Sequence, residues 1–304
     1  MTRLAGGGTV SGVQGRTLAV ATTAALLAFS ATAQAGLQGP TESLGTSKGL
    51  EYWRGKMTDV QTQAQQGANC DGDSEVTGGG GSVSGPHALV EVNETYPQES
   101  PASWQAEGSA EEGGTLTAYA ICAGVDLNYP AGSEMADFPG PWAGSGHCDS
   151  GERPTGAGVG SAMAGLGING LLPVAHPDPS TLVQVQAPST GFIYFPAACW
   201  PNGDQIRYRD GSKLKIAPGA AGKAIAKCRE NEAVAGGGVS AQDRGNAIDD
   251  GFKGATWLNA SRPWDSKADN GRVPDDGWLV KVHNHDAPKM DLFARAACLR
   301  PGDA

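Results

Sequence analysis

No window of about 11 residues in this sequence carries helical periodicity, no C-x2-C pair occurs, and no apolar run reaches the roughly 18 residues a membrane-crossing helix needs. These absences set aside a helical bundle, a thiolate zinc site and a transmembrane helix. Basic residues are also in deficit, with 22 Lys and Arg against 32 Asp and Glu and a net charge of −10. Neither nucleic acid nor an anionic membrane is expected as a partner, because both call for a basic face. No membrane insertion and no cofactor are expected either.

Glycine and proline are plentiful instead, 46 and 19 residues. With short alternating runs and many turn signals they point to an all-β fold. The first 35 residues read as a secretory signal peptide: Arg3 and Arg16 ahead of an apolar run from Thr17 to Ser30, then Ala33-Gln34-Ala35 before Gly36. Its removal takes two basic residues and no carboxylate, leaving −12. Residues 36–49 read as a flexible lead-in rich in Gly, Ser and Thr. Gly45 to Gly49 matches a G-x-S-x-G elbow, but without the preceding strand that motif requires.

A layout then repeats three times. Cys70, Cys148 and Cys228, spaced 78 and 80 residues apart, are each followed after seven residues by Gly78-Gly79-Gly80, Gly156-Ala157-Gly158 and Gly236-Gly237-Gly238. Each copy ends alike, in Ala120-Ile121-Cys122, Ala197-Ala198-Cys199 and Ala296-Ala297-Cys298. An even number of cysteines in an exported chain implies disulfides, and the repeat selects Cys70–Cys122, Cys148–Cys199 and Cys228–Cys298. The units span 50–126, 127–203 and 204–304. Thr115 to Cys122 reads as a strand, aligned with Phe192 to Cys199 and Asp291 to Cys298. The glycines read as sites of close backbone approach or bulging rather than a phosphate cradle, since no helix start follows them.

Between the glycines and the closing strand falls an X-Pro step, Tyr96-Pro97, His176-Pro177 and Arg262-Pro263, followed by Trp104 and Trp278 in the first and third units as core anchors. Leu182 and Val183 lie near that place in the second. A period near 78 residues is long for a prism, which favours separate but contacting units, either small sandwiches or a pseudo-threefold prism-like arrangement.

The layout resembles an uncharacterised repeat of exported bacterial proteins over about Cys70 to Cys298, which implies a secreted, disulfide-bonded β protein and no particular chemistry. In plan it is also similar to the β-prism proteins of the vitelline membrane outer layer type.

The third unit is longer by an insertion at about 242–276, where surface loops and function are expected. It carries Asp249, Asp250, Phe252, Trp257, Trp264, Asp265, Asp275 and Asp276. Trp257 and Trp264 with Asp249 and Asp250 would suit a glycan: ring faces for stacking and acceptors for hydroxyls. His283 and His285 would share one face of a strand and are the best metal candidates, short of a third ligand. Acidic turns follow Cys70, Cys148 and Cys228, with Asp71 to Glu75 only faintly like a calcium loop. The reading is a secreted non-enzymatic binding or surface-associated protein with an extracellular glycan or a cell-surface partner. The alternatives are a secreted hydrolase using the acidic residues of the insertion, and a structural matrix or coat component.

Overall fold

The computed structural model describes residues 41–85, 90–110, 112–163, 165–175, 178–243, 256–266, 273–285 and 290–300. The signal segment, and Asp249, Asp250 and Phe252 of the insertion, lie outside them. The described residues form strands, with one short 3-10 turn at Gly203–Gln205. The first part of the chain supplies β1 (Glu42–Ser47), β2 (Leu50–Arg54), β3 (Thr58–Val60), β4 (Gln63–Asn69), β5 (Glu75–Ser84), β6 (Val90–Gln98), β7 (Ser103–Ala110) and β8 (Gly114–Ala123). The second supplies β9 (Ala131–Ala136), β10 (Gly140–Gly144), β11 (Arg153–Ala157), β12 (Gly160–Ser161), β13 (Gly167–Val174), β14 (Ser180–Ala187) and β15 (Gly191–Trp200). The third supplies β16 (Ile206–Asp210), β17 (Leu214–Ile216), β18 (Ala221–Lys227), β19 (Ala233–Asp243), β20 (Thr256–Trp264), β21 (Gly277–Asn284) and β22 (Met290–Leu299). No helix among the described residues is long and apolar enough to cross a membrane.

Each glycine-bearing strand lies antiparallel to its closing strand, β5 on β8, β11 on β15 and β19 on β22. Each pair bulges at the same place, leaving Thr77, Thr155 or Ala235 out of register just before the first glycine. Disulfides join Cys70 to Cys122, Cys148 to Cys199 and Cys228 to Cys298, linking the turn before each glycine strand to the end of its partner. The lead-in differs from expectation. Residues 42–47 form β1 on β2, with a register shift that leaves Leu44 unpaired beside Gly45.

The units do not stand apart as the long period suggested, because the third lends three strands to a sheet of the first and the second lends three to a sheet of the third. The first sheet runs β1-β2-β8-β5-β20-β21-β18, so the first unit takes its outer strands from the third. The second runs β10-β14-β13-β19-β22-β16, so the third unit takes its outer strands from the second. The second unit closes the ring: paired N–H···O bonds between Thr95 and Val159 join its strands to the β4-β7-β6 sheet of the first. Three seams result, and one continuous apolar core spans all three units.

The glycines mark where backbones of different units meet. A Cβ at Gly80 would run into the carbonyl of Ser261, and one at Gly238 into that of Leu171. At the centre the Thr155 hydroxyl donates to Thr77 O, the Thr77 hydroxyl to Ala235 O at 2.8 Å, and the Tyr52 hydroxyl to Val234 O at 2.8 Å. These bonds cross from the second unit to the first and from the first to the third. They satisfy buried carbonyls where the bulges interrupt the ladders.

The second glycine explains the odd triplet. A Cβ on Gly79 or Gly237 would overlap the buried indole of Trp104 or Trp278. The second unit carries Ala157 at that place and, in the register that pairs Pro97 with Trp104 and Pro263 with Trp278, has Thr181 opposite Pro173. Where the indole is missing, a methyl group is tolerated. The Trp104 and Trp278 N–H groups donate to Thr95 and Ser261, whose counterpart two residues before Pro173 is the apolar Leu171. The equivalent proline is therefore Pro173 rather than Pro177, which lies outside the described residues. Its signature is N-x3-P: Asn93, Asn169 and Asn259 each occupy a bulge four residues before that proline.

Candidate functional site

Little of the expected site survives as a surface loop. The part of the insertion from Thr256 to Trp264 is β20, paired with β21 on one side and β5 on the other. Its N-x3-P bulge and alternating buried residues make it the counterpart of β6 and β13, so the departure of the third unit lies in the connections rather than in this strand. Trp257 and Trp264 occur near its two ends and do not form one platform. The Trp257 ring instead packs on His283, 5.8 Å between centroids, and on His285, 4.6 Å. The two imidazoles do share a face, as strand period requires. Burial first, and the neighbouring His285 charge second, hold the His283 pKa below its usual value.

Among the described residues no third ligand joins these histidines. The groups of three that do converge are Cys148, Glu152, Cys199 and Cys228, Glu232, Cys298, whose sulfurs are tied in disulfides. The acidic turns are structural. Glu152 accepts the N–H of Asp149 at 2.9 Å, and Glu232 that of Arg229 at 3.0 Å. Burial would raise the Glu232 carboxyl, but Arg209, which donates two hydrogen bonds to it, and the Arg229 N–H outweigh burial and hold it low. In the first unit Glu75 accepts the N–H of Leu127 at 2.8 Å. Asp275 and Asp276 are likewise engaged: their carbonyls accept the N–H groups of Val234 and Cys228, and the Asp276 carboxylate accepts that of Ser266.

A groove of about 430 Å³ lies at the seam between the first and third units. Arg54 and Tyr119 line it from the first unit, and Lys223, Arg262, Trp264 and Lys281 from the third. Leu44, Leu279 and Pro274 add apolar wall, and Asp265 one carboxylate. The Arg262 guanidinium stands 5.3 Å from the Tyr119 ring centroid, and the Lys227 ammonium 5.4 Å from that of Trp264. Arg54 is ion-paired with Glu42. Of the insertion residues singled out from the sequence, Trp264 and Asp265 are brought into this concavity, where Trp264 meets the Lys227 cation.

The same framework position carries different chemistry at each seam. Lys281 sits opposite Lys223 on one side and Ala260 on the other. At the second-to-third seam the corresponding residue is Gln184, between Ala143 and Gly170, and nearby Arg295 holds Asp210 through two bonds of 2.6 and 2.8 Å. At the first-to-second seam it is Glu107, between Gln65 and Glu94. Glu94 is almost fully buried there and accepts the Ser161 N–H at 2.9 Å. Burial, reinforced by the Glu107 charge and only partly offset by that N–H, pushes its pKa up to about 8. One seam is basic, one neutral and one acidic.

No family model matches the chain, and no curated protein does. The groove's own geometry therefore carries the functional reading.

Proposed function

We propose that the chain is a secreted, non-enzymatic extracellular binding protein that takes a glycan in the groove between its first and third units. The supporting observation is the lining: two aromatic rings, Trp264 and Tyr119, in one concavity with donors from Lys and Arg. A sugar ring offers a face of C–H groups for an indole and hydroxyls on its rim that accept from such donors. The Lys227 ammonium beside the Trp264 ring helps fix the ring's orientation before any ligand arrives, which lowers the ordering cost of binding. Three disulfides suit an oxidising compartment and hold the frame that carries the groove.

A glycan array probed with the wild-type chain, Trp264→Ala and Trp264→Phe tests this. Binding by the wild type that falls at least about 10-fold in Trp264→Ala and is largely kept in Trp264→Phe supports the reading. No glycan bound by the wild type, or equal binding by all three with unchanged thermal unfolding, overturns it.

A further inference from the structure

We infer that the groove selects an acidic saccharide, a short run of carboxylated or sulfated sugar, and that Lys223 and Lys281 are the residues that read its charge. The inference rests on the glycan reading above and narrows it.

Lys223 and Lys281 face each other directly across the β18·β21 pair. Like charges so placed repel, and a sheet under no other demand avoids them. Both side chains are exposed, and neither makes a salt bridge among the described residues. A facing pair of cations is a property of this seam alone, since the counterparts are Ala143 with Gln184 and Gln65 with Glu107. The framework does not need two lysines here. Arg262 adds a third cation on the neighbouring strand, with its guanidinium over the Tyr119 ring. A bound anion relieves the repulsion between the lysines and gains charge-assisted hydrogen bonds from both.

This concentration of positive charge occurs in a chain whose net charge is −10. Beyond the groove the acidic surface adds no attraction, so the contact is confined to the few acidic sugars seated within it, whether free or as a segment of a polymer. Trp264 and Tyr119 take the apolar ring face while the lysines take the anionic substituent.

The test measures binding of the disulfide-bonded chain to polygalacturonate, dextran sulfate, neutral dextran and single-stranded oligothymidylate, using wild type, Lys223→Gln/Lys281→Gln and Trp264→Ala. The expected result is binding to polygalacturonate, dextran sulfate or both. It should weaken at least about 10-fold in the double lysine variant and again as salt rises from about 50 to about 500 mM. The preferred polymer identifies the anion as carboxylate or sulfate. Acidic polysaccharide bound equally by wild type and the lysine variant overturns the inference, as does tighter binding of oligothymidylate than of either polymer. Neutral dextran bound in a way that needs Trp264 but not the lysines leaves the glycan reading standing and removes its acidic restriction. No binding to any saccharide removes both.

Discussion

Glu94→Gln probes the acidic seam, and the expected effect can be worked from the buried carboxyl. Its pKa rises from an ordinary 4.5 to about 8, chiefly through burial and then through Glu107, which faces it across β6 and β7. At 1.36 kcal/mol per pH unit this amounts to about 5 kcal/mol between the protonated and ionised forms, an upper figure because local relaxation admits water. The folded state holds a proton that the unfolded chain releases above pH 4.5. The contribution is therefore fully present below about pH 4.5, declines as pH rises to about 8, and changes little beyond. The Gln side chain keeps an acceptor for the Ser161 N–H and carries no charge. Urea denaturation at about pH 5 and about pH 9 should show wild type losing several kcal/mol between the two. The variant should lose distinctly less, with a residual slope from Glu91 and Glu107, whose pKa values burial also raises. Equal losses in wild type and variant would refute the claim that Glu94 is folded as a neutral acid.

Three further outcomes follow from the frame. Gly237→Ala should destabilise the chain by about 1–3 kcal/mol because its methyl meets both the Arg295 carbonyl and the Trp278 indole, and the part due to the indole should vanish in a Trp278→Ala background, measured as a double-mutant cycle in urea. Tyr52→Phe should cost about 1 kcal/mol by removing the hydroxyl that spans from the first unit to Val234, read as a shift in denaturation midpoint with an unchanged slope. Replacing Cys228 and Cys298 together by serine should cost about 2–5 kcal/mol, and unfolding of all three units should stay coincident because their sheets are shared.

What the sequence made legible is what local chemistry dictates. The cysteine pairing followed from the repeat, and the closing strands from alternation at Leu116, Ala118, Ala120 and Cys122, all buried in β8. Burial of Trp104 and Trp278 followed from their size. The exchange of strands was not legible, because alternation fixes which face a residue takes and says nothing about which sheet edge the strand joins. A signal for it was present in N-x3-P: three asparagines at equivalent bulges would have aligned Pro173 with Pro97 and Pro263 and placed Thr181 where the other units have Trp. The groove was hidden for another reason. Its lining runs from Leu44 to Lys281 and comes together only where β5 meets β20, so Arg54, Lys223 and Lys281 look like solvated surface charges until the first and third units share a sheet.

The most direct measurement of the central claim is hydrogen–deuterium exchange with and without a saturating acidic oligosaccharide. Slower exchange confined to the peptides around Arg54, Tyr119, Arg262 to Trp264 and Leu279 to Lys281 is the predicted footprint. Protection centred instead on Glu94 and Glu107, or on Asp210 and Arg295, would place the ligand at another seam and contradict the account.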